Sequence, residues 1–190
     1  MRQAANPDAS QATAACRVCQ SPFWPRTSLH ALCSPKCAVK EAAAKTRAQR
    51  AERVQTRAQI DALRPRSYWL KLAQKAFNAY IRARDQHLPC ISCNKPPGYT
   101  ADAGHYLTTG ARPELRFNED NCHRQCVQCN QHLHGNLILY RMGLVARIGL
   151  ERVETLEGPH EPAKLVGAEL RALSKEYAAK ARAATMERME

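Results

Sequence analysis

Apolar side chains recur at helical spacing between residues 67 and 84, as Trp69, Leu72, Ala76, Phe77, Tyr80 and Ile81, which predicts an amphipathic helix with one face for a core. The preceding stretch, residues 38–63, holds no Gly or Pro and is rich in Ala, Arg, Lys, Glu and Gln, so it should be a long helix. Its apolar stripe is mostly alanine, which leaves the helix solvated or pressed on a partner. Pro65 should interrupt the two helices. After Cys129 the helical pattern resumes through Leu137, Ile138, Tyr140 and Leu144, with Gly143 and Gly149 as expected breaks. A charged helix starting near Pro162, with Leu165, Leu170, Leu173 and Tyr177 as its sparse apolar face, is expected to end the chain. Residues 1–15 show no hydrophobic period and are expected to be disordered.

The remaining stretches are organised by cysteine. Cys90-Ile-Ser-Cys93 and Cys126-Val-Gln-Cys129 carry the spacing of a four-thiolate zinc site, because each pair presents two sulfurs of one tight turn to an ion. Cys16-Arg-Val-Cys19 and Cys33-Ser-Pro-Lys-Cys37 predict a second site, a zinc knuckle with Phe23, Trp24 and Leu32 as its apolar wall; a redox pair or unliganded thiols are the alternatives. His30 lies in that knuckle loop but is not needed beside four thiols. Nine cysteines are an odd number, so Cys122 is left over, and a spare buried thiol is the expected outcome. The first residues lack the apolar centre of a signal peptide, which places the chain in a reducing cytoplasm where disulfides are disfavoured.

Charge narrows the class of partner. Lys and Arg outnumber Asp and Glu by 29 to 17, leaving +12 on 190 residues, and the economical ligand for such a chain is nucleic acid. An acidic membrane is the rival, but the sequence holds no lipidation signal, no apolar run of spanning length and no basic amphipathic anchor. Residues 39–84 carry twelve Lys or Arg against three Asp or Glu. Arg47, Arg50, Arg53, Arg57, Lys71, Lys75, Arg82 and Arg84 are therefore the candidate phosphate contacts.

Between the central thiol pairs run Asp102-Ala-Gly-His105 and Arg116-Phe-Asn-Glu-Asp-Asn121. Hydrolysis of a phosphodiester needs a base for water, a divalent ion and a donor for the phosphate. His105 fits the base, since neutral imidazole is available at physiological pH. Asn130, Asp102, Glu119 and His134 are candidate donors to a catalytic Mg2+ or Mn2+. His123 and His132 read as polar surface.

The order Cys-x-x-Cys, Gly-His105, Asn121, Cys-x-x-Cys-Asn130 resembles the HNH, or ββα-metal, endonucleases in their zinc-bearing form, including the phage junction-resolving endonuclease VII. With the N-terminal knuckle, Tyr80-Ile-Arg-x-Arg-Asp85, Arg116-Phe-Asn-Glu119 and Gln125-Cys-x-x-Cys-Asn130, the chain looks like a lambdoid phage NinG (Rap) recombination protein. That resemblance implies a structure-specific endonuclease acting on D-loops and Holliday junctions in a phage-infected or lysogenic bacterium. It implies His105 as general base, Asn121 as the loop residue that orients it, and Asn130 as a ligand of the catalytic metal. Many HNH enzymes have Asp before this histidine, where this chain has Gly104; Asp102, Glu119 or His134 could supply the ligand, or the metal is bound weakly. A non-catalytic zinc-ribbon DNA-binding recombination mediator is the alternative, and a homodimer would suit a symmetric junction.

The expected architecture is mainly α with small zinc-stapled β elements. Its segments are a disordered N-terminus (1–15), a zinc knuckle (16–37), basic helices (38–84), a ββα-metal, HNH-like core (85–150) and C-terminal helices (151–190).

Overall fold

A computed structural model describes residues 14–27, 29–98 and 100–186. The chain divides into two compact units, Met1–Leu63 and Arg64–Glu190. Among the described residues both are mostly helical, with one two-stranded sheet and one four-cysteine cluster each. No helix among the described residues is long and apolar enough to cross a membrane.

In the first unit β1 (Ala14–Ala15) pairs antiparallel with β2 (Pro22–Phe23). Ala14 and Ala15 therefore belong to the knuckle and not to a disordered tail; residues 1–13 of that expected tail lie outside the described residues. Helix α1 (Pro35–Ala62) starts three residues before the expected position, because Ser34 caps it by accepting the Cys37 N–H at 3.4 Å and Pro35 opens its first turn. Only Cys37 and Asp61 are buried along its 28 residues, so the alanine stripe is solvated.

In the second unit α2 (Arg66–Arg84) and α5 (Gly167–Met186) run side by side in the same direction. Trp69 and Ala73 meet Leu170 near their starts, Phe77 meets Tyr177 in mid-course with ring centroids 4.9 Å apart, and Gln86 Nε2 reaches the Ala184 carbonyl beyond the end of α2. Helix α5 begins at Gly167, five residues after the expected Pro162, where Glu169 turns back to accept the Val166 N–H at 2.7 Å.

Between these helices the chain forms a hairpin, β3 (Ala101–His105) antiparallel to β4 (Cys122–Cys126), in which Asp102 faces Gln125 and His105 faces Cys122. One face carries Ala103 and Cys122 onto Phe77 and Ile81 of α2. The other packs toward α3 (Leu137–Ile148) and α4 (Leu150–Glu157), where Ile91, Tyr106, Leu115, Tyr140, Leu144, Val153 and Leu156 form the second core. Gly149 separates α3 from α4 with φ 87°, as its break role requires. Gly143 does not break α3. It lies where a Cβ would overlap the Ile91 carbonyl, so its smallness allows the helix to close onto the loop of the Cys90–Cys93 pair.

Candidate functional site

The two cysteine clusters are built alike. The Sγ atoms of Cys16, Cys19, Cys33 and Cys37 lie within 4.8 Å of one another, as do those of Cys90, Cys93, Cys126 and Cys129. The Cys93–Cys126 Sγ separation of 3.8 Å matches the edge of a tetrahedron with Zn–S bonds of about 2.3 Å. In each first pair the same turn recurs. The N–H of the residue after the second cysteine returns to the carbonyl of the first, Gln20 to Cys16 at 2.9 Å and Asn94 to Cys90 at 3.0 Å. Gln20 and Asn94 both take positive φ, 61° and 57°. Backbone N–H groups aim at sulfur, Cys33 N at Cys16 Sγ (3.4 Å) and Cys126 N at Cys90 Sγ (3.3 Å). Such N–H groups lower Cys16, with those of Cys19 and Cys33 foremost, to about 6. Burial pushes Cys90 up, yet the Cys126 and Cys93 N–H groups bring it to about 7, while burial drives Cys129 to about 12. Four sulfurs at this spacing would be held together as thiolates by a dication, and both sets fit structural Zn2+. His30 is no ligand: its Nδ1 accepts the Arg26 N–H at 3.0 Å and its ring meets Phe23 edge-on.

On the hairpin, Asn121 is fully buried and joins the loop to the strands. Its Oδ1 accepts the Leu107 N–H at 2.8 Å, and its Nδ2 donates to the Leu107 and Leu115 carbonyls. Its side-chain hydrogen bonds go to the loop and none to His105, so any orienting effect passes through the loop it shapes. That loop supplies the Arg116 carbonyl, 3.0 Å from His105 Nε2. Nε2 must therefore carry the proton, and the Nδ1 lone pair faces Cys122 Sγ at 3.7 Å. Burial lowers the imidazole below its ordinary value, with the carbonyl partly opposing, so His105 is neutral at physiological pH. Its ring stacks on Phe77 with centroids 6.1 Å apart. Cys122 is the buried spare thiol expected, pushed far up by desolvation.

Asp102 lies three residues before His105 on a strand paired without a bulge, and strand alternation turns the two to opposite faces. The structure thus joins Asp102 to Asn130, whose Nδ2 donates to Asp102 Oδ2 at 2.8 Å as does Gln131 Nε2, but does not join either to His105. Glu119 is elsewhere: its two oxygens accept from Lys180 Nζ and Tyr80 Oη, each at 3.0 Å. It is therefore not a partner of Asp102. His134 is exposed, on a backbone of φ 47° just past the short π-helical turn Gln128–His132 that carries Asn130.

Gly104 has a physical reason. A Cβ there would overlap Oε1 of Gln125, so no aspartate fits before His105 unless that side chain moves. Gln125 is fully buried; its Nε2 donates to Ser92 Oγ at 2.7 Å and to the Gly135 carbonyl at 2.6 Å, while Oε1 has no hydrogen-bond partner. The face opposite His105 therefore holds the Asp102 carboxylate, the Asn130 amide and an orphaned amide oxygen, a donor set suited to a hard cation.

Two residues missed from sequence join the helices to the hairpin. Asp85 is buried and accepts from Arg84 Nε at 2.6 Å, from Arg84 Nη2 and the Arg124 N–H at 2.9 Å each, with His123 Nδ1 at 3.5 Å. Burial opposes its charge, but His123 and Arg84 outweigh it and hold the carboxyl well below the usual range. An acid at the C-terminal cap of a helix opposes the helix dipole, and that was the available signal of a tertiary partner. His123, expected on the surface, is buried beside Asp85 and Tyr140. Arg84, expected to contact phosphate, is instead spent on Asp85 and on the carbonyls of Glu119 and Cys122.

The other cations remain outward. Lys71, Lys75 and Arg82 are exposed and fall within about 40° of one another around α2, at 100° per residue. Arg47, Arg50, Arg53 and Arg57 share about 120° of α1; Arg57 also meets Asp61 at 3.4 Å.

The family model described as bacteriophage lambda NinG protein matches residues 8–187. The chain is 54% identical over 116 residues to protein ninG of Escherichia phage lambda, and 53% identical over 116 residues to that of Salmonella phage P22. Each alignment covers 61% of this chain and 57% of the relative, so the chain spans less than two thirds of their length. Protein ninG of Enterobacteria phage H19B is 43% identical over 161 residues, 76% of this chain and 80% of that protein. No solved structure matches. Since the family match runs from beside the first cysteine cluster to the end of α5, the chain belongs to the bacteriophage lambda NinG protein family.

Proposed function

We propose that the chain is a metal-dependent, structure-specific DNA endonuclease that hydrolyses phosphodiesters in branched recombination intermediates, D-loops and Holliday junctions, in the cytoplasm of the phage's bacterial host. The observation that carries this reading is the 2.8 Å contact between Asp102 and Asn130, two oxygen-donor side chains 28 residues apart in sequence. The β3–β4 hairpin and the following helical turn make it, in the manner of an HNH, or ββα-metal, hairpin stapled by the second cysteine cluster. Asp102 and Asn130 would hold Mg2+ or Mn2+, which supplies charge stabilisation at the leaving oxygen. Asn130 turns its N–H to Asp102 here, and a half-turn of its amide exposes the carbonyl to the same point. His105 is the base of this reading; to act beside that ion it must leave Cys122 and the face of β3 opposite Asp102, and meet water.

That requirement favours a second reading, in which His105 only packs and the chain is a non-catalytic zinc-ribbon DNA-binding mediator. Cleavage of four-way and linear DNA with Mg2+ or Mn2+ separates the two. The nuclease reading expects Asp102→Ala and His105→Ala to lower the rate by at least 100-fold, within the range for metal and general-base catalysis, with zinc content unchanged. Asn130→Ala should recover in part at high Mn2+. Tight junction binding without cleavage by the wild type establishes the mediator.

In either reading the exposed cations bind phosphates, so recognition rests on DNA shape more than base sequence. Changing Arg47, Arg50, Arg53 and Arg57 together to Gln should lower the slope of log affinity against log salt by about three to four, at roughly 0.9 per phosphate contact. An unaltered slope would remove α1 from the DNA interface. A homodimer would suit a symmetric junction, which needs two nicks.

A further inference from the structure

Two guanidinium groups, one of them on the residue whose carbonyl meets His105, have no carboxylate to balance them. Arg116 donates Nη1 to Gln74 Oε1 at 3.1 Å and Nη2 to the Thr109 carbonyl at 3.2 Å. Arg66 donates Nε to the Leu165 carbonyl at 2.8 Å. All these acceptors are neutral, and among the described residues neither arginine forms an ion pair. Nearby arginines do: Arg84 is paired with Asp85, Arg112 with Glu114 and Arg152 with Asp120. The fold thus supplies carboxylates freely around this point and withholds them here. Leu165, whose carbonyl holds Arg66, and Phe117, next to Arg116, pack against the same Trp69, Ala73 and Leu170 cluster, so the two arginines flank one cluster; burial lowers Arg116, and the charge of Arg66 lowers it further.

Neutral acceptors fix both side chains without cancelling their charge, which is the arrangement for a ligand that brings its own negative charge. Gln74, which holds Arg116, is in turn joined to Asn78 at 2.7 Å, and both lie beside the exposed Lys71, Lys75 and Arg82 of α2. The backbone carbonyl of Arg116 is also the one that meets His105, and its positive charge lowers that imidazole. An anion here would lie next to the histidine and at the end of a basic stripe.

We propose that Arg66 and Arg116 form a phosphate cradle beside His105, which takes one backbone phosphate of the bound DNA and sets the strand against the hairpin. It rests on the reading that DNA is the ligand, but not on cleavage. Two guanidinium groups prefer the paired oxygens of a phosphodiester to a point charge, so the role is not interchangeable with lysine.

The test is the salt dependence of junction binding by the zinc-loaded full chain. Arg66→Gln and Arg116→Gln should each lower the slope by about one and weaken binding roughly tenfold, the double variant by about two in slope. Arg116→Lys should recover the slope but not the affinity. Arg152→Gln removes the same charge from an exposed ion pair and should leave both near wild type. Zinc content and urea midpoint are measured for every variant, so that a misfolded one is recognised. Inorganic phosphate should compete with wild-type binding more strongly than with binding by the double variant; equal competition would mean that the cradle is not a phosphate site. Slopes equal to that of Arg152→Gln would overturn the cradle while the nuclease reading stands. The expected slopes in a protein that never cleaves would uphold the cradle and remove the nuclease, and a wild type that binds no DNA would end both.

Discussion

Replacing Cys126 and Cys129 together by serine should unfold the Arg64–Glu190 unit and remove one zinc equivalent of the two expected per chain. This cluster ties the Cys90–Cys93 turn to the end of β4, and beside it stand only lesser bonds such as Ile91 N to the Arg124 carbonyl at 3.1 Å and Gln125 Nε2 to Ser92 Oγ at 2.7 Å among the described residues. Ile91 belongs to the core with Tyr140 and Leu144, and its carbonyl receives α3 at Gly143, so a freed turn would loosen that core as well. A structural zinc contributes about 10–16 kcal/mol at neutral pH, whereas a whole domain is stable by about 5–15 kcal/mol. Loss of the ion is therefore enough to lose the fold. Circular dichroism, urea melts and metal analysis read the result. A double serine variant with a wild-type midpoint would mean that the four thiols are ordinary core residues. The equivalent change at Cys33 and Cys37 should cost the second zinc but leave the Arg64–Glu190 unit folded, since the two units are separately compact.

Asp85→Ala should destabilise the zinc-loaded protein by about 3–5 kcal/mol, the range for breaking a buried ion pair from one side. Asp85 is 2% exposed, and its removal takes away the acceptor of the Arg124 N–H and the nearer of the two carboxylates beside the Arg84 guanidinium, leaving only Glu119 at 3.9 Å. Arg84 also joins α2 to the Glu119 and Cys122 carbonyls, so the damage falls where the helix meets the hairpin. Asp85→Asn keeps an acceptor for Arg124 and should cost less. Urea midpoints at pH 7 measure both. If alanine costs no more than about 1 kcal/mol, as for an exposed ion pair, the network does not hold the hairpin on α2.

The helices and the thiol clusters were legible because each depends on residues near in sequence. Trp69, Phe77 and Ile81 repeat at the period of one helix face, and all three are buried. Each Cys-x-x-Cys turn closes within five residues, so spacing alone predicted two four-cysteine clusters. The errors at Gly143 and at the start of α5 have one origin. Locally, a glycine in a helix is judged a breaker and a proline before one its start, but the close approach of the Ile91 carbonyl gives Gly143 its place inside α3 and the Glu169 cap sets the start of α5 at Gly167.

Membership of the NinG family and the make-up of both four-cysteine clusters were thus contained in residue order and spacing. Which face of the hairpin each polar side chain takes was not. Strand register separates His105 from Asp102, brings Asn130 to Asp102 and fills the space over Gly104 with Gln125. Packing of the hairpin on α2 equally decides which cations are balanced, burying the Arg84–Asp85 pair and leaving Arg66 and Arg116 with neutral acceptors. Local propensity and spacing act over one turn of chain, whereas strand register and the contacts that hold Asn130 and Arg66 link residues 17 to 99 positions apart, which no short window of sequence contains.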